Sequence, residues 1–389
     1  MRHKSCCGGI YCPCGGDELI YVVRPGDTLY LISRRTGVAV WKIAFDNQIS
    51  DEFRLSVGQS LLILQPGEEG SYRRDMHVTG YAYPFVEPYI LEQSFPAVNE
   101  LLVFSYGFTF EGELVPPVTD DLWMIERAWE HGIEPMLVLT PFSEGAFNNQ
   151  LVKVLVENPE IQDRLITNVL ETVQERGFAG VDIDFEYILP ENRIGYAEFV
   201  GRMREVMSRN GYQTSVALAP KERADQPGLL YEGMDYRLLG ENADFVFLMT
   251  YEWGYTYGPP MAVAPLNKVR QVVEYALTEI PKEKILMGIP NYGYDWTLPY
   301  QKGVSRARLI GNVEAVRIAV DSGAQILFSE RAQSPYFHYR EQDVQHEVWF
   351  EDVRSIAAKL DLASEYGLYG VGYWNLMRTF RANWLMLEK

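Results

Sequence analysis

Eight apolar runs, separated for the most part by helical patterns, constrain the fold of this chain more than any other feature. They are Val78 to Tyr83, Leu101 to Phe108, Pro135 to Thr140, Gly180 to Tyr187, Thr214 to Ala219, Phe245 to Tyr251, Ile285 to Pro290 and Gly370 to Asn375. Short runs rich in β-branched and aromatic residues read as strands. Helical spacing recurs between them, as at Asp120 to Glu130, Ile161 to Arg176 and Tyr196 to Met207. Eight such units over about 310 residues predict an α/β fold of the (β/α)8 TIM barrel type rather than an open doubly wound sheet. Barrels of this kind carry their chemistry at the C-terminal ends of the strands.

The fourth run adds an electrostatic problem. Gly177 to Tyr187 reads G-F-A-G-V-D-I-D-F-E-Y, and alternate side chains of a strand share a face, so Asp182, Asp184 and Glu186 point the same way. Isolated carboxylates are costly to desolvate, so three on one face need a reason. A hydrated strand end or a metal site would supply one. Paired-carboxylate catalysis is the sharper reading, because crowded like charges push their pKa values apart and leave one group protonated as a general acid beside an ionised neighbour. The five histidines, His3, His77, His131, His338 and His346, show no metal-ligand spacing, and neither a nucleophile elbow nor a phosphate-cradling loop is present.

At these acids the chain resembles the family 18 glycoside hydrolases, whose signature D-G-x-D-x-D-x-E closes the fourth barrel strand. Gly180, Asp182, Asp184 and Glu186 match it, and Ala179 stands where the family usually has its first aspartate, the acid furthest from the reacting bond. The resemblance implies Glu186 as general acid, then base, Asp184 as the group steadying a substrate acetamide that attacks the anomeric carbon, and Asp182 as its tuner. Met249-Thr250-Tyr251-Glu252 matches the family's M-x-Y-D at the end of the sixth strand. Tyr251 therefore inherits a hydrogen bond to the acetamide, with Met249 and Glu252, the latter in place of aspartate, as substrate contacts. Trp374 matches the floor under the sugar at the cleavage point, and Tyr81 and Tyr106, at the ends of strands one and two, match cleft aromatics. No cofactor or metal is implied.

Ahead of the barrel the pattern changes. Residues 1–19 hold Cys6, Cys7, Cys12 and Cys14 among glycines, a spacing open to soft-metal binding, disulfides, cross-linking to a protein layer, or a plain tail. Residues 20–65 read as strand, two short helices and strand, with Pro25-Gly26 before a capped helix and Gly58-Gln59 before the last strand. This unit resembles a LysM module, a binder of glycans containing N-acetylglucosamine. The resemblance places Gly26, Asp27, Thr28 and Leu29, with Gln48 and Ile49 after Asn47, along the sugar groove. Residues 66–75 read as a polar linker and 76–389 as the barrel, in which about 296–368 contain a small α+β insertion between strands seven and eight, forming one wall of a groove.

A net charge of −18, from 53 acids and 35 bases, argues against nucleic acid or an anionic membrane surface and suits a neutral or cationic ligand. No apolar run approaches a membrane span, and the first residues lack the h-region of a secretory signal. Residues 249–255, 258–260, 289–296 and 346–352 resemble the spore germination branch of family 18, which implies hydrolysis of N-acetylglucosaminyl bonds in cortex peptidoglycan and a location at the spore's cortex and coat. A chitinase, or a non-catalytic chitin- or peptidoglycan-binding protein, is the alternative.

Overall fold

The computed structural model describes residues 10–11 and 19–389, apart from 66, 71, 74 and 144. The cysteines of the N-terminal stretch lie outside the described residues. The eight apolar runs form parallel strands at His77–Ala82, Glu100–Phe108, Glu134–Leu139, Gly180–Ile183, Gln213–Leu218, Phe245–Leu248, Ile285–Pro290 and Gly370–Trp374. The first pairs with both the second and the eighth, which closes a TIM barrel. Rings such as Phe247 fill its interior, and Gly372 leaves them room, since a Cβ there would fall 2.3 Å from Phe247 Cε2.

Two strand ends differ from expectation by more than one residue, and both bear on the chemistry. The fourth strand stops at Ile183 and the sixth at Leu248, short of Tyr187 and Tyr251. Asp184 still donates its N–H to Leu139 O at 3.0 Å, after which the chain leaves the sheet and turns at Tyr187, whose φ is +57°. Glu186 therefore stands on the barrel rim rather than within a ladder. The helix that delivers the fourth strand, Pro159–Arg176, has proline in its first turn and ends on Gly177 at φ +82°, the left-handed stop that glycine adopts without penalty.

Between the seventh and eighth strands an antiparallel five-stranded sheet, starting at Gly293, carries the helix Asn312–Ser322. Ile310, Ala315, Ala319, Ile326, Phe337, Val348 and Phe350 give this insertion a core of its own. At its far end Lys359 Nζ meets Glu351 Oε2 at 2.8 Å with both side chains shut off from water, pinning the insertion to the helix Val353–Tyr366.

The N-terminal unit is a βααβ fold, with helices Leu29–Thr36 and Val40–Asp46 between strands Leu19–Val22 and Ser60–Ile63. Thr28 Oγ1 accepts from Leu31 N at 3.2 Å and caps the first helix. Asn47 clamps the unit together: its amide donates to Ile43 O and Leu62 O and accepts from Leu62 N, all within 2.9 Å. Two expected groove residues serve the fold instead. Leu29 is buried in the module's core, as its position on the helix's inner face requires. Asp27 is occupied by Tyr21 Oη, Arg24 N and Arg35 Nη1 at 2.6–2.8 Å. Gly26 and Thr28 are exposed, while Gln48 and Ile49 are half-buried where the module meets the barrel, Gln48 Oε1 accepting from Arg381 N at 2.7 Å.

The expected linker is not free either. Gly70 N and Tyr72 N donate to Leu385 O and Met386 O, and Arg73 Nη1 donates to Leu387 O at 2.8 Å. The module also presses on the insertion: Arg54 pairs with Asp321 at 2.9 Å, Ser56 Oγ donates to Ala324 O at 2.6 Å, and a Cβ on Gly58 would lie 1.8 Å from Ile326 O.

Candidate active site

Asp182 lies inside the barrel with no exposure. Tyr81 Oη donates to its Oδ2 at 2.8 Å and Ser215 Oγ to its Oδ1 at 2.6 Å. Burial pushes its carboxyl up to about 6, against the pull of those two hydrogen bonds. Asp184 is 4 % exposed, and burial first, then the charges of Glu186 and Asp182, hold it well above the ordinary carboxylate range. Its Oδ1 is buried without a hydrogen-bond partner. A buried acceptor left unmade is costly, so this oxygen is open to a donor from outside the protein. Half-buried Glu186 is raised to about 7, chiefly by burial and next by Glu252. Three carboxyls so placed cannot all ionise at neutral pH, and at least one proton stays on the cluster.

These acids open into a pocket of ≈ 250 Å³. Trp374, Tyr251, Met249 and Glu252 line it, as expected from their strand ends. Trp374 is held edge-on by Phe104, Tyr81 and Tyr83 at centroid distances of 5.1, 5.5 and 6.1 Å. Burial raises the Tyr251 phenol well above its usual value, so the ring keeps its proton and can donate a hydrogen bond. Glu252 sits at φ +67°. As a residue it is exposed, yet its carboxylate is sheltered by Tyr292 Oη and Tyr294 Oη, which both donate to Oε1, the latter at 3.1 Å.

Tyr81 reaches the pocket wall, but its hydroxyl is committed to Asp182, which makes it a positioning residue. Tyr106 does not reach the pocket at all. It is buried, its Oη donating to Asp121 Oδ2 at 2.8 Å. The second strand slips register between Val103 and Tyr106, which breaks the period-2 alternation, and Phe104 faces the pocket instead. Ala179 lies at the foot of the fourth strand, its N–H on Pro135 O, away from the pocket lining. Sequence reading missed Tyr83, Tyr231 and Trp253 as lining residues. Tyr83 and Trp253 follow strand ends, a usable signal, whereas Tyr231 comes from a loop with no periodicity. Among the described residues no cluster of three or more His, Cys, Asp or Glu could hold a metal ion.

A closed (β/α)8 barrel with stacked carboxyls over an aromatic floor at its C-terminal rim defines a glycoside hydrolase. The chain belongs to the glycosyl hydrolases family 18, whose family model matches residues 145–378, and a LysM domain model matches residues 21–64. It is 38 % identical to the cortical fragment-lytic enzyme of Bacillus subtilis (strain 168), over 95 % of this chain and 97 % of that protein. The crystal structure of the Bacillus cereus spore cortex-lytic enzyme SleL superposes with a TM-score of 0.86 at 30 % identity, covering 95 % of this chain and 98 % of that one. The corresponding enzyme of Bacillus megaterium QM B1551 gives a TM-score of 0.77 at 36 % identity, covering 95 % and 85 %.

Proposed function

We propose that this enzyme is a retaining, substrate-assisted N-acetylglucosaminidase of peptidoglycan, acting on spore cortex fragments during germination. The observation that carries the reading is the pairing of a carboxyl raised to about 7, Glu186, with the unpartnered Oδ1 of Asp184 two residues earlier. A carboxyl near neutrality can give a proton and later take one back, which is what a group acting first as acid and then as base needs.

Glu186 protonates the glycosidic oxygen as the bond to the anomeric carbon breaks. The acetamide oxygen of the same sugar attacks that carbon, forming an oxazolinium ion. Asp184 Oδ1 accepts the acetamide N–H and opposes the positive charge that develops there, while the Tyr251 hydroxyl donates to the acetamide oxygen and sets its direction. Asp182 stands behind Asp184, fixed by Tyr81 and Ser215. Glu186, now ionised, takes a proton from water as that water opens the oxazolinium, so configuration is retained. Trp374 stacks under the sugar ring. The family 18 and LysM matches support recognition of glycans containing N-acetylglucosamine, and the relatives named for cortical fragments support cortex as their source.

The test is Glu186→Gln on purified cortex fragments and chitin oligomers, with products read by mass. Turnover should fall by roughly 10² to 10⁴-fold, the usual share of a general acid, and a fragment lacking the N-acetyl group should bind without being cleaved. Near-normal hydrolysis by the variant removes Glu186 from this role, and cleavage of chitin alone by the unaltered enzyme makes it a chitinase. Attachment to spore coat proteins through Cys6, Cys7, Cys12 and Cys14 belongs to the same reading; a mass shift on reduction of spore extracts would reveal it.

A further inference from the structure

Beside the active-site pocket a second recess of ≈ 390 Å³ opens, sharing Tyr83, Glu252 and Trp374 with it. Its walls are the loop after the first barrel strand, the insertion at Tyr294 and Leu309, and the loop after the eighth strand at Met377 and Arg378. Among the described residues lining either space Arg378 is the sole cationic side chain. It is half-buried, and among the described residues no hydrogen bond, ion pair or ring contact engages its guanidinium. The side chain lies along Gly311 of the insertion, its Cδ 3.4 Å from where a Cβ would stand. The same arginine also lines a third recess, with Arg317 and Tyr89, that continues past the insertion's helix.

An unengaged arginine at this place has a cost and a use. Glu252 shares its recess, and Glu186 and Asp184 line the adjoining pocket; their field repels an anionic ligand entering the cleft, in a chain of net charge −18. A neutral chitin chain gains little from a cation in the adjoining recess. Peptidoglycan differs from chitin by the lactyl ether on alternate sugars, which ends in a carboxylate or in a peptide that carries one. The geometry points to Arg378 as the residue that selects such a chain, its planar fork taking the carboxylate of the muramoyl residue next to the N-acetylglucosamine seated on Trp374. This inference rests on the peptidoglycan reading above and names how that substrate is told from chitin.

The experiment compares kcat/KM of the full-length enzyme and Arg378→Gln on three probes: a tetrasaccharide of alternating N-acetylglucosamine and N-acetylmuramic acid with free carboxylates, the same tetrasaccharide with its carboxylates amidated, and chitotetraose. Loss of one charge-assisted contact should lower the variant's kcat/KM on the first probe by about 10- to 100-fold, with the other two changed less than about twofold. Amidation should cost the unaltered enzyme a similar factor and cost the variant little. Arg378→Lys should recover part of the loss, and unchanged chitotetraose turnover reports a folded site. Equal losses on all three probes, or no loss on the first, overturns the role of Arg378 while leaving the peptidoglycan reading intact. If the unaltered enzyme cleaves chitotetraose but neither tetrasaccharide, both fall together.

Discussion

Replacing Glu252 by Gln should move the alkaline limb of the activity profile downward, by less than half of the rise of Glu186 above its ordinary value. Glu186 must carry its proton to act as an acid, so kcat/KM falls tenfold per unit once pH passes its pKa, here about 7. Burial is the larger cause of that elevation and the charge of Glu252 the smaller. Glu252 therefore supplies the smaller part of the rise from 4.5 to about 7. Gln is isosteric and leaves an oxygen to accept from Tyr292 and Tyr294, so the substitution removes charge while keeping the sheltering contacts. The assay is kcat/KM from pH 4 to 9 on a soluble N-acetylglucosaminide, which reports the free enzyme. The limb should shift downward from near pH 7 and stop above the ordinary glutamate value, since burial remains. A limb that stays put, or moves up, refutes the electrostatic coupling, and a uniform drop in activity without displacement would show Glu252 to be a substrate contact only.

Three further outcomes follow from the same structure. Glu186 has a folded-state pKa above its unfolded value, so its stabilising contribution is complete below about 4.5 and lost as pH rises through about 7; Glu186→Gln should melt about 2–4 °C above the unaltered protein at pH 8, with no gap at pH 4.5, by differential scanning calorimetry. Lys359→Met leaves Glu351 buried and unpaired, which should cost about 3–5 kcal/mol and lower the melting temperature of the barrel by several degrees. Asn47→Ala removes three hydrogen bonds that join the second helix to the last strand of the LysM domain, so that domain should lose about 2 kcal/mol and exchange its strand amides faster, with chitin-oligomer hydrolysis unchanged.

The barrel was legible because its signal is redundant. Eight strands each carry four to nine mostly buried residues, and an error of one or two at any end leaves the alternation intact. Asp182, Asp184, Glu186, Tyr251 and Trp374 were legible for a related reason: each sits at a fixed distance past a strand that the apolar pattern locates. Residues whose place depends on parity fared worse. Tyr106 and Phe104 have the same parity, so an unbroken strand would face both to one side, and the slip after Val103 parts them. In the LysM domain Asp27 and Leu29 fit the groove pattern, but the six-residue loop 23–28 and the helix start after it must also cap a helix and close a core. Those demands take Leu29 inward and fasten Asp27 to Tyr21 and Arg35.

Ala179 shows the converse, a departure from the family pattern that the structure renders harmless. Counting along the motif makes it the first of four acids, as though all four shared one field. Strand geometry puts it three residues below Asp182 and on the opposite parity, at the end of the barrel away from the pocket. An aspartate there would be poorly placed to act directly on Asp184. The groups that do act are Tyr81 and Ser215, whose hydroxyls donate to the two oxygens of Asp182 from the first and fifth strands. They oppose the upward push of burial on Asp182, which lets it carry charge beside Asp184 and so keeps the proton of the cluster on the acids that face the sugar.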